Sequence, residues 1–465
     1  MRYISTRGSA TRLGFCDATL TGLAPDGGLF VPEAYPTLST ATLSALVGQP
    51  FEVVAEAVLS RFTGGELGDA ALSADIGAAM GTFAHPARTP LVQIGPSAFV
   101  LELFHGPTLA FKDVAMQTLA RLMDRILTER GRRATIVTAT SGDTGAAAAD
   151  AFRGRAAIDL VILYPDGRVS EVQRRQMTTI ADDNVHTLAV DGDFDDCQRI
   201  VKALFVDREF NARVAMGGVN SINWARVAAQ VSYYVFAALA LGAPHRRVAF
   251  AVPTGNFGDV LAGYVAHRMG LPIERLVIAT NRNDILDRGL RTGRYTPERV
   301  APSASPSMDI QVSSNFERLV FELSGRDAAS IAERMARPPE GFALTADEQR
   351  GMRTLFASGR ADDADTQRVI GETYAATGLV VDPHTAVGLK AAAEVTLPAG
   401  VPMVTLATAH PAKFPDVVEA GCGVRPARPE RLARAMSDPE RSSRVAADVR
   451  AVADVILERA RAVAA

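Results

Sequence analysis

Thr135-Ile136-Val137-Thr138-Ala139-Thr140-Ser141-Gly142-Asp143-Thr144-Gly145 runs from a β-branched segment into a glycine-rich turn, and Ala146–Phe152 continues it as a small-residue helix. The same alternation goes on downstream. Strand Asp159–Leu163, helix Ser170–Ile180, strand His186–Val190 and helix Phe194–Phe210 follow in order. Parallel neighbours need a long crossover, usually a helix, so strands spaced by helices predict βαβ units and a mainly parallel sheet. A second series predicts strand Val248–Val252, helix Val260–Arg268 and strand Arg275–Ala279. A Ser/Pro-rich loop at Pro302–Ser307 follows, then helices Asn315–Leu323, Thr366–Thr377 and His384–Val395, strand Met403–Leu406 and a closing helix near Ser443–Val463. Upstream, Ala98–Phe104 reads as a strand leading to an amphipathic helix over Asp113–Arg130, and the first ninety residues read as helices punctuated by turns. The expected fold class is α/β, with two domains of mainly parallel twisted sheet and a mostly helical N-terminal extension. The expected boundaries are 1–95, 96–245 and 246–465.

The chain has 465 residues, room for two or three domains. Forty-nine Lys plus Arg against 52 Asp plus Glu give a net charge of −3, which provides no global field for a nucleic acid or an anionic membrane. The apolar run Val231–Leu241 is far shorter than the ~20 residues of a spanning helix, and the N-terminus lacks the apolar core of a secretory signal. We expect a cytoplasmic protein with no nucleic-acid or membrane partner. Cys16, Cys197 and Cys422 lack C-x-x-C spacing and there is no H-E-x-x-H pattern, so neither a disulfide framework nor a metal site is expected.

Two turns stand at strand-to-helix junctions, Thr138–Gly145 and Gly255-Asn256-Phe257-Gly258-Asp259. At strand carboxyl ends, free N–H groups and the helix dipole attract anions. Thr140, Ser141 and Thr144 add hydroxyl donors to the first turn. The bland reading makes each an ordinary turn capped by Ser, Asp or Asn. Neither turn matches a dinucleotide or P-loop fingerprint.

Only Lys112, Lys202, Lys390 and Lys413 carry a primary amine. Lys112 opens a helix, where the dipole disfavours a cation. That field, with desolvation by Leu109 and Phe111, would depress its pKa and supply a neutral nucleophile. The alternative is a surface lysine balanced by Asp113. Lys413 follows a strand and ranks second, whereas Lys202 and Lys390 read as solvated, Lys390 pairing with Glu394. Arg226, after Asn220 and Ser221, is either a clamp for a substrate phosphate or an exposed arginine at a capped helix start. His105 and His410 are weaker acid–base candidates.

Taken in order, Gly27–Pro32, Phe104–Asp113, Thr138–Gly145, Asn220–Asn223, Pro253–Asp259 and Thr408–Phe414 resemble threonine synthase, a pyridoxal-phosphate enzyme family of fold type II. The resemblance spans most of the chain and is similar to the longer bacterial and fungal branch. It implies that Lys112 anchors pyridoxal 5'-phosphate and shuttles protons, that Gly255, Asn256, Phe257, Gly258 and Asp259 cradle the cofactor phosphate, and that Thr408 meets the pyridine nitrogen. It further implies that Ser141, Gly142, Asp143 and Thr144 bind the substrate carboxylate, with Asn220, Ser221 and Arg226 as candidates for its phosphate. The implied reaction converts O-phospho-L-homoserine and water to L-threonine and phosphate in a monomer or homodimer. The alternatives are a phospho-lyase or dehydratase giving 2-oxobutanoate, and a sensor of amino acids or phosphates.

Overall fold

The computed structural model describes residues 1–337 and 340–461. Its two large sheets are mainly parallel. One has five parallel strands, in the order Ser443–Ala446, Val185–Asp191, Ile158–Pro165, Ala134–Ala139 and Met216–Gly217. The other has six, in the order Phe356–Arg360, Ile273–Thr280, Val248–Pro253, Met403–Ala407, Ala98–Glu102 and Leu91–Gln93, of which only the last runs antiparallel to its neighbour. Ile158–Pro165 and Val248–Pro253 are buried at every position, as expected of parallel strands covered on both faces.

The expected α/β class holds, but sheet membership cuts across the expected boundaries. Ala98–Glu102 pairs with Met403–Ala407, not with the strands that follow it, and Ser443–Ala446 returns to pair with Leu188–Asp191. The predicted helix Phe194–Phe210 is broken at Asp207, whose backbone is extended and whose carboxylate caps a second helix, Arg208–Val214, by accepting the Phe210 N–H at 3.0 Å. The predicted closing helix is strand Ser443–Ala446 followed by helix Val449–Arg459, the latter capped by Asp448. Residues 462 and 463 of that expectation lie outside the described residues.

The N-terminal segment is part of the main core. Tyr3–Ser5 pairs antiparallel with Phe30–Pro32, and Tyr3 packs with Phe62 and Tyr35 around the fully buried Trp224. Gly28 is required there, because a Cβ would lie 2.2 Å from the Ser5 hydroxyl oxygen. Arg318, also buried, donates to the carbonyls of Phe30 and Ile222 and to Asn315 Oδ1, tying this segment to the loop before helix Trp224–Ala240. Among the described residues no helix is long and apolar enough to cross a membrane.

Candidate active site

Five segments that matter chemically leave their sheets at carboxyl ends. Phe104–Lys112 follows Ala98–Glu102, Thr408–Lys413 follows Met403–Ala407, and Gly255–Asp259 follows Val248–Pro253. From the five-stranded sheet come Thr140–Gly145, after Ala134–Ala139, and Asn220–Asn223, after Met216–Gly217. Parallel strands place these ends on one edge of each sheet, where open α/β folds bind ligands.

The lysine segment is zipped to its neighbour. Phe111 N–H donates to the Thr408 carbonyl at 2.8 Å, His410 N–H donates to the Leu109 carbonyl at 3.0 Å, and Ala110 bridges Ala409. Thr408, 6% exposed, is thereby held beside Lys112, the first residue of helix Lys112–Glu129. Leu109 has φ +60, a conformation costly for a branched side chain and tolerated where the surroundings fix it. Asp113 does not balance Lys112. It is fully buried and accepts the Thr108 N–H at 2.8 Å and hydroxyl at 2.7 Å, which closes the Gly-Pro turn; burial pushes its pKa up to about 7 although those donations oppose it.

The nearest charge to Lys112 Nζ is Asp143, with Oδ2 at 3.6 Å. Burial holds the amine below its ordinary pKa. Asp143 opposes this effect, and the positive charges of Lys413 and Arg226 reinforce it. Of the two apolar neighbours expected to desolvate it, the Phe111 ring lies against the amine, with Nζ 5.5 Å from its centroid, whereas Leu109 packs with Val172, Ala412 and Leu432. Lys413 is committed elsewhere: wholly buried, it lies 2.8 Å from Asp143 Oδ1 and donates to the Thr108 carbonyl at 2.9 Å. Of the two amines that face Asp143, only that of Lys112 is without a hydrogen bond to a described residue.

Asp143 departs from its expected part. Its side chain accepts from Gln173 Nε2 at 2.9 Å and from the Ser307 hydroxyl at 3.0 Å, besides facing both lysines. Burial opposes the charge, but Lys413 and Lys112 hold the carboxyl well below the usual carboxylate range. A fixed anion cannot recruit a substrate carboxylate, so Asp143 belongs to the lysines. The rest of the turn fits an anion. Gly142 has φ +150 and its Cβ would strike Gln173, while the Thr140 hydroxyl oxygen accepts Gly142 and Gly145 N–H.

The ordinary-turn reading fails on one detail. Helices Asp143–Phe152 and Gly258–Arg268 both lack a side-chain N-cap, unlike Glu171–Thr178, Phe194–Val206 and Trp224–Ala240, capped by Ser170, Asp193 and Asn223. Thr140 Oγ1 takes the Gly145 N–H of the first helix, and the remaining first-turn N–H groups of both helices have no side-chain acceptor among the described residues. At the second turn Phe257 takes φ +64 with its ring buried against Phe316 and Phe356, while the Gly255 and Asn256 carbonyls accept from Ser313 Oγ and Asn315 N–H.

The Asp259 side chain likewise points away from its turn. Its carboxylate turns to helix Trp224–Ala240, accepting Tyr233 at 2.5 Å and Tyr234 at 2.8 Å, with Oδ2 unpartnered. Only its backbone can serve a phosphate. Burial raises its pKa to about 6 against the lowering by the two tyrosines. The folded protein therefore holds that proton more tightly than the unfolded chain, so this group's contribution falls as pH rises from about 4 to 6 and stays low above. Asp259→Asn is expected to flatten that part of the stability profile and to gain about 1–3 kcal/mol at neutral pH relative to pH 4. Urea unfolding of both proteins across pH 4–8 checks this.

Arg226 is not the exposed arginine of the alternative. It is 4% exposed, and its Nη1 donates to the Val219 carbonyl at 3.0 Å, while Nε is buried without a partner. Burial lowers its pKa to about 10. Among the described residues it has no carboxylate partner, so a buried cation faces the site with a donor to spare. Ser221 lies close to the second turn, since its carbonyl accepts from Asn315 Nδ2 at 3.1 Å and would sit 3.9 Å from a Cβ on Gly258. Asn220 is exposed beside Thr138. His105 pairs with Glu102 at 2.7 Å, and His410, pushed down to about 4 by burial, accepts the Ala412 N–H; neither faces Lys112 directly. Ser307, Gln173 and His384 escaped sequence reasoning, because only the fold brings residues 173, 307 and 384 to residue 143.

An amine of depressed pKa on a segment bonded to that of Thr408, with two helix starts that lack side-chain N-caps, matches a phosphorylated aldehyde cofactor and an anionic substrate. Residues 83–409 match the family model of the pyridoxal-phosphate dependent enzymes, which is therefore the class of this chain, and its cofactor is pyridoxal phosphate. Residues 2–80 match the threonine synthase N terminus and residues 385–456 the C-terminal threonine synthase model. The chain is 52% identical over 444 residues to a threonine synthase of Pseudomonas aeruginosa, covering 95% of each. Its fold superposes on the crystal structure of PLP-bound threonine synthase from Brucella melitensis with a TM-score of 0.97 at 53% identity, covering 99% of this chain and 100% of the other. The yeast threonine synthase structure gives 0.92 at 40% identity, with 98% of each covered. The chain belongs to the threonine synthase family and is a pyridoxal-phosphate-dependent lyase acting on a small molecule.

Proposed function

We propose that this enzyme converts O-phospho-L-homoserine and water to L-threonine and phosphate, in the cytoplasm, as a monomer or homodimer. The observation that carries the substrate is the guanidinium of Arg226, buried near Lys112 with no carboxylate partner among the described residues, an anion site in addition to the two helix starts.

Residues Gly255–Asp259 hold the cofactor phosphate through backbone N–H groups, Thr408 offers its hydroxyl to the pyridine nitrogen, and Lys112 holds the aldehyde carbon. Bound there, the cofactor supplies an electron sink for charge developing on substrate carbons. Ser141, Thr144 and the backbone N–H of Asp143 grip the substrate carboxylate, with Gly142 shaping the turn. Arg226, with Asn220 and Ser221, holds the γ-phosphate and receives it as it leaves. Lys112 Nζ, kept neutral for part of the time by burial, takes the proton from Cα and moves protons at Cβ, where water adds. The same cofactor residues would serve elimination without hydration. Incubating holoenzyme with phosphohomoserine distinguishes the two reactions: threonine and phosphate are expected in equal amounts, whereas phosphate with 2-oxobutanoate and no threonine would assign the lyase alternative.

A further inference from the structure

A continuous line of contacts, buried at Asp382 and His384 and partly buried at Ser307, leads to Lys112. Asp382, fully buried, caps helix Pro383–Ala393 and accepts His384 Nδ1–H at 2.7 Å. That bond places the ring proton on Nδ1 and leaves the lone pair on Nε2, which accepts the backbone N–H of Ser307 at 3.3 Å. His384 is 2% exposed and packs on Phe414, so its ring has little freedom to turn. The Ser307 hydroxyl then donates to Asp143 Oδ2 at 3.0 Å, and the same oxygen faces Lys112 Nζ at 3.6 Å.

The consequence is electrostatic. Asp143 Oδ1 is taken by Lys413 and Gln173, so Oδ2 sets how strongly the carboxylate attracts Lys112. A hydroxyl donating to Oδ2 draws off part of that charge and keeps the carboxylate from closing to a direct hydrogen bond with the amine. We propose that Asp382, His384 and Ser307 are positioning residues that hold the Asp143 carboxylate back from Lys112 and so keep its amine available as a nucleophile and base.

The groups facing the amine are Asp143, Lys413 and Arg226, together with the Phe111 ring; those around His384 are Asp382 and Asp309. Among the described residues no other charged contact bypasses Ser307 between His384 and Asp143. Ser307 is held independently from its own loop, in which Asp309 accepts from Asn281, Asn283 and Ser303, so removing one oxygen from Ser307 leaves the loop anchored.

The inference deepens the assignment of Lys112 as cofactor anchor and rests on it for its functional meaning. The test reads the amine itself. Full-length protein freed of cofactor is treated with an amine-acylating reagent at several pH values, and Lys112 labelling is followed by peptide mass spectrometry with Lys390 as internal reference. Ser307→Ala is expected to slow Lys112 labelling at neutral pH about three- to tenfold by strengthening its pairing with Asp143, and to move the labelling midpoint to higher pH. His384→Ala is expected to do the same, and His384→Gln, which restores an acceptor for Ser307 N–H, to return the rate to within about twofold of the original. The double variant Ser307→Ala/His384→Ala should be no slower than Ser307→Ala alone, because His384 acts through Ser307. Wild-type labelling in Ser307→Ala, or effects that multiply in the double variant, would overturn the proposal. That failure is separable from failure of the anchor assignment, which would show as borohydride fixing the cofactor on a lysine other than Lys112.

Discussion

Lys112→Ala is expected to lose turnover by at least about a thousandfold, together with the near-visible absorbance of the lysine-bound cofactor. The size of the effect follows from how few amines the chain has and where they are. Lys202 is exposed, Lys390 pairs with Glu394 at 2.7 Å, and Lys413 is locked between Asp143 and the Thr108 carbonyl. None can replace an amine at the start of helix Lys112–Glu129. Folding should survive, because the amine makes no hydrogen bond to a described residue and its closest charge is 3.6 Å away. Urea midpoints of the variant and parent should agree closely while activity disappears. Recovery of appreciable turnover with the absorbance intact would place the carrier elsewhere.

Arg226→Met carries the second large effect. Methionine keeps most of the stem's packing and removes a charge that has no counter-ion among the described residues. On the phosphorylated substrate kcat/KM should fall about 10²- to 10³-fold, the scale of a lost charge-assisted donor in a dry site. Cofactor content and spectrum should stay near the parent's, because the cofactor phosphate is assigned to the turn at Gly255–Asp259. A loss of cofactor affinity as large as the loss in kcat/KM would move Arg226 to the cofactor phosphate instead. The variant should also be no less stable than the parent by more than about 1–2 kcal/mol, since only the hydrogen bond to the Val219 carbonyl is lost.

Much of this site was legible before the fold, for physical reasons that are local. A lysine at a helix start is a dipole mismatch visible in six residues around position 112, and a glycine-rich turn after a β-branched run marks a strand-to-helix junction. Lys413 shows the limit of that reading. It competed with Lys112 because both follow strands, and only the 2.8 Å pair with Asp143 separates a structural amine from a reactive one. The side-chain directions of Asp143 and Asp259 lie beyond that reading for a related reason. Sequence places each in the right turn but not the direction of its carboxylate, which the fold sends to Lys413 in one case and to Tyr233 and Tyr234 in the other. Asp382-Pro383-His384 reads in sequence as a helix start and nothing more. The pairing of Ala98–Glu102 with Met403–Ala407 joins strands 300 residues apart, beyond anything that hydrophobic periodicity reports.

The identity of the amine that carries the cofactor tests the whole arrangement most directly. Holoenzyme reduced with borohydride and mapped by peptide mass spectrometry should bear the added mass on Lys112 alone. The mass on Lys413, on Lys390 or on no lysine would contradict the site described.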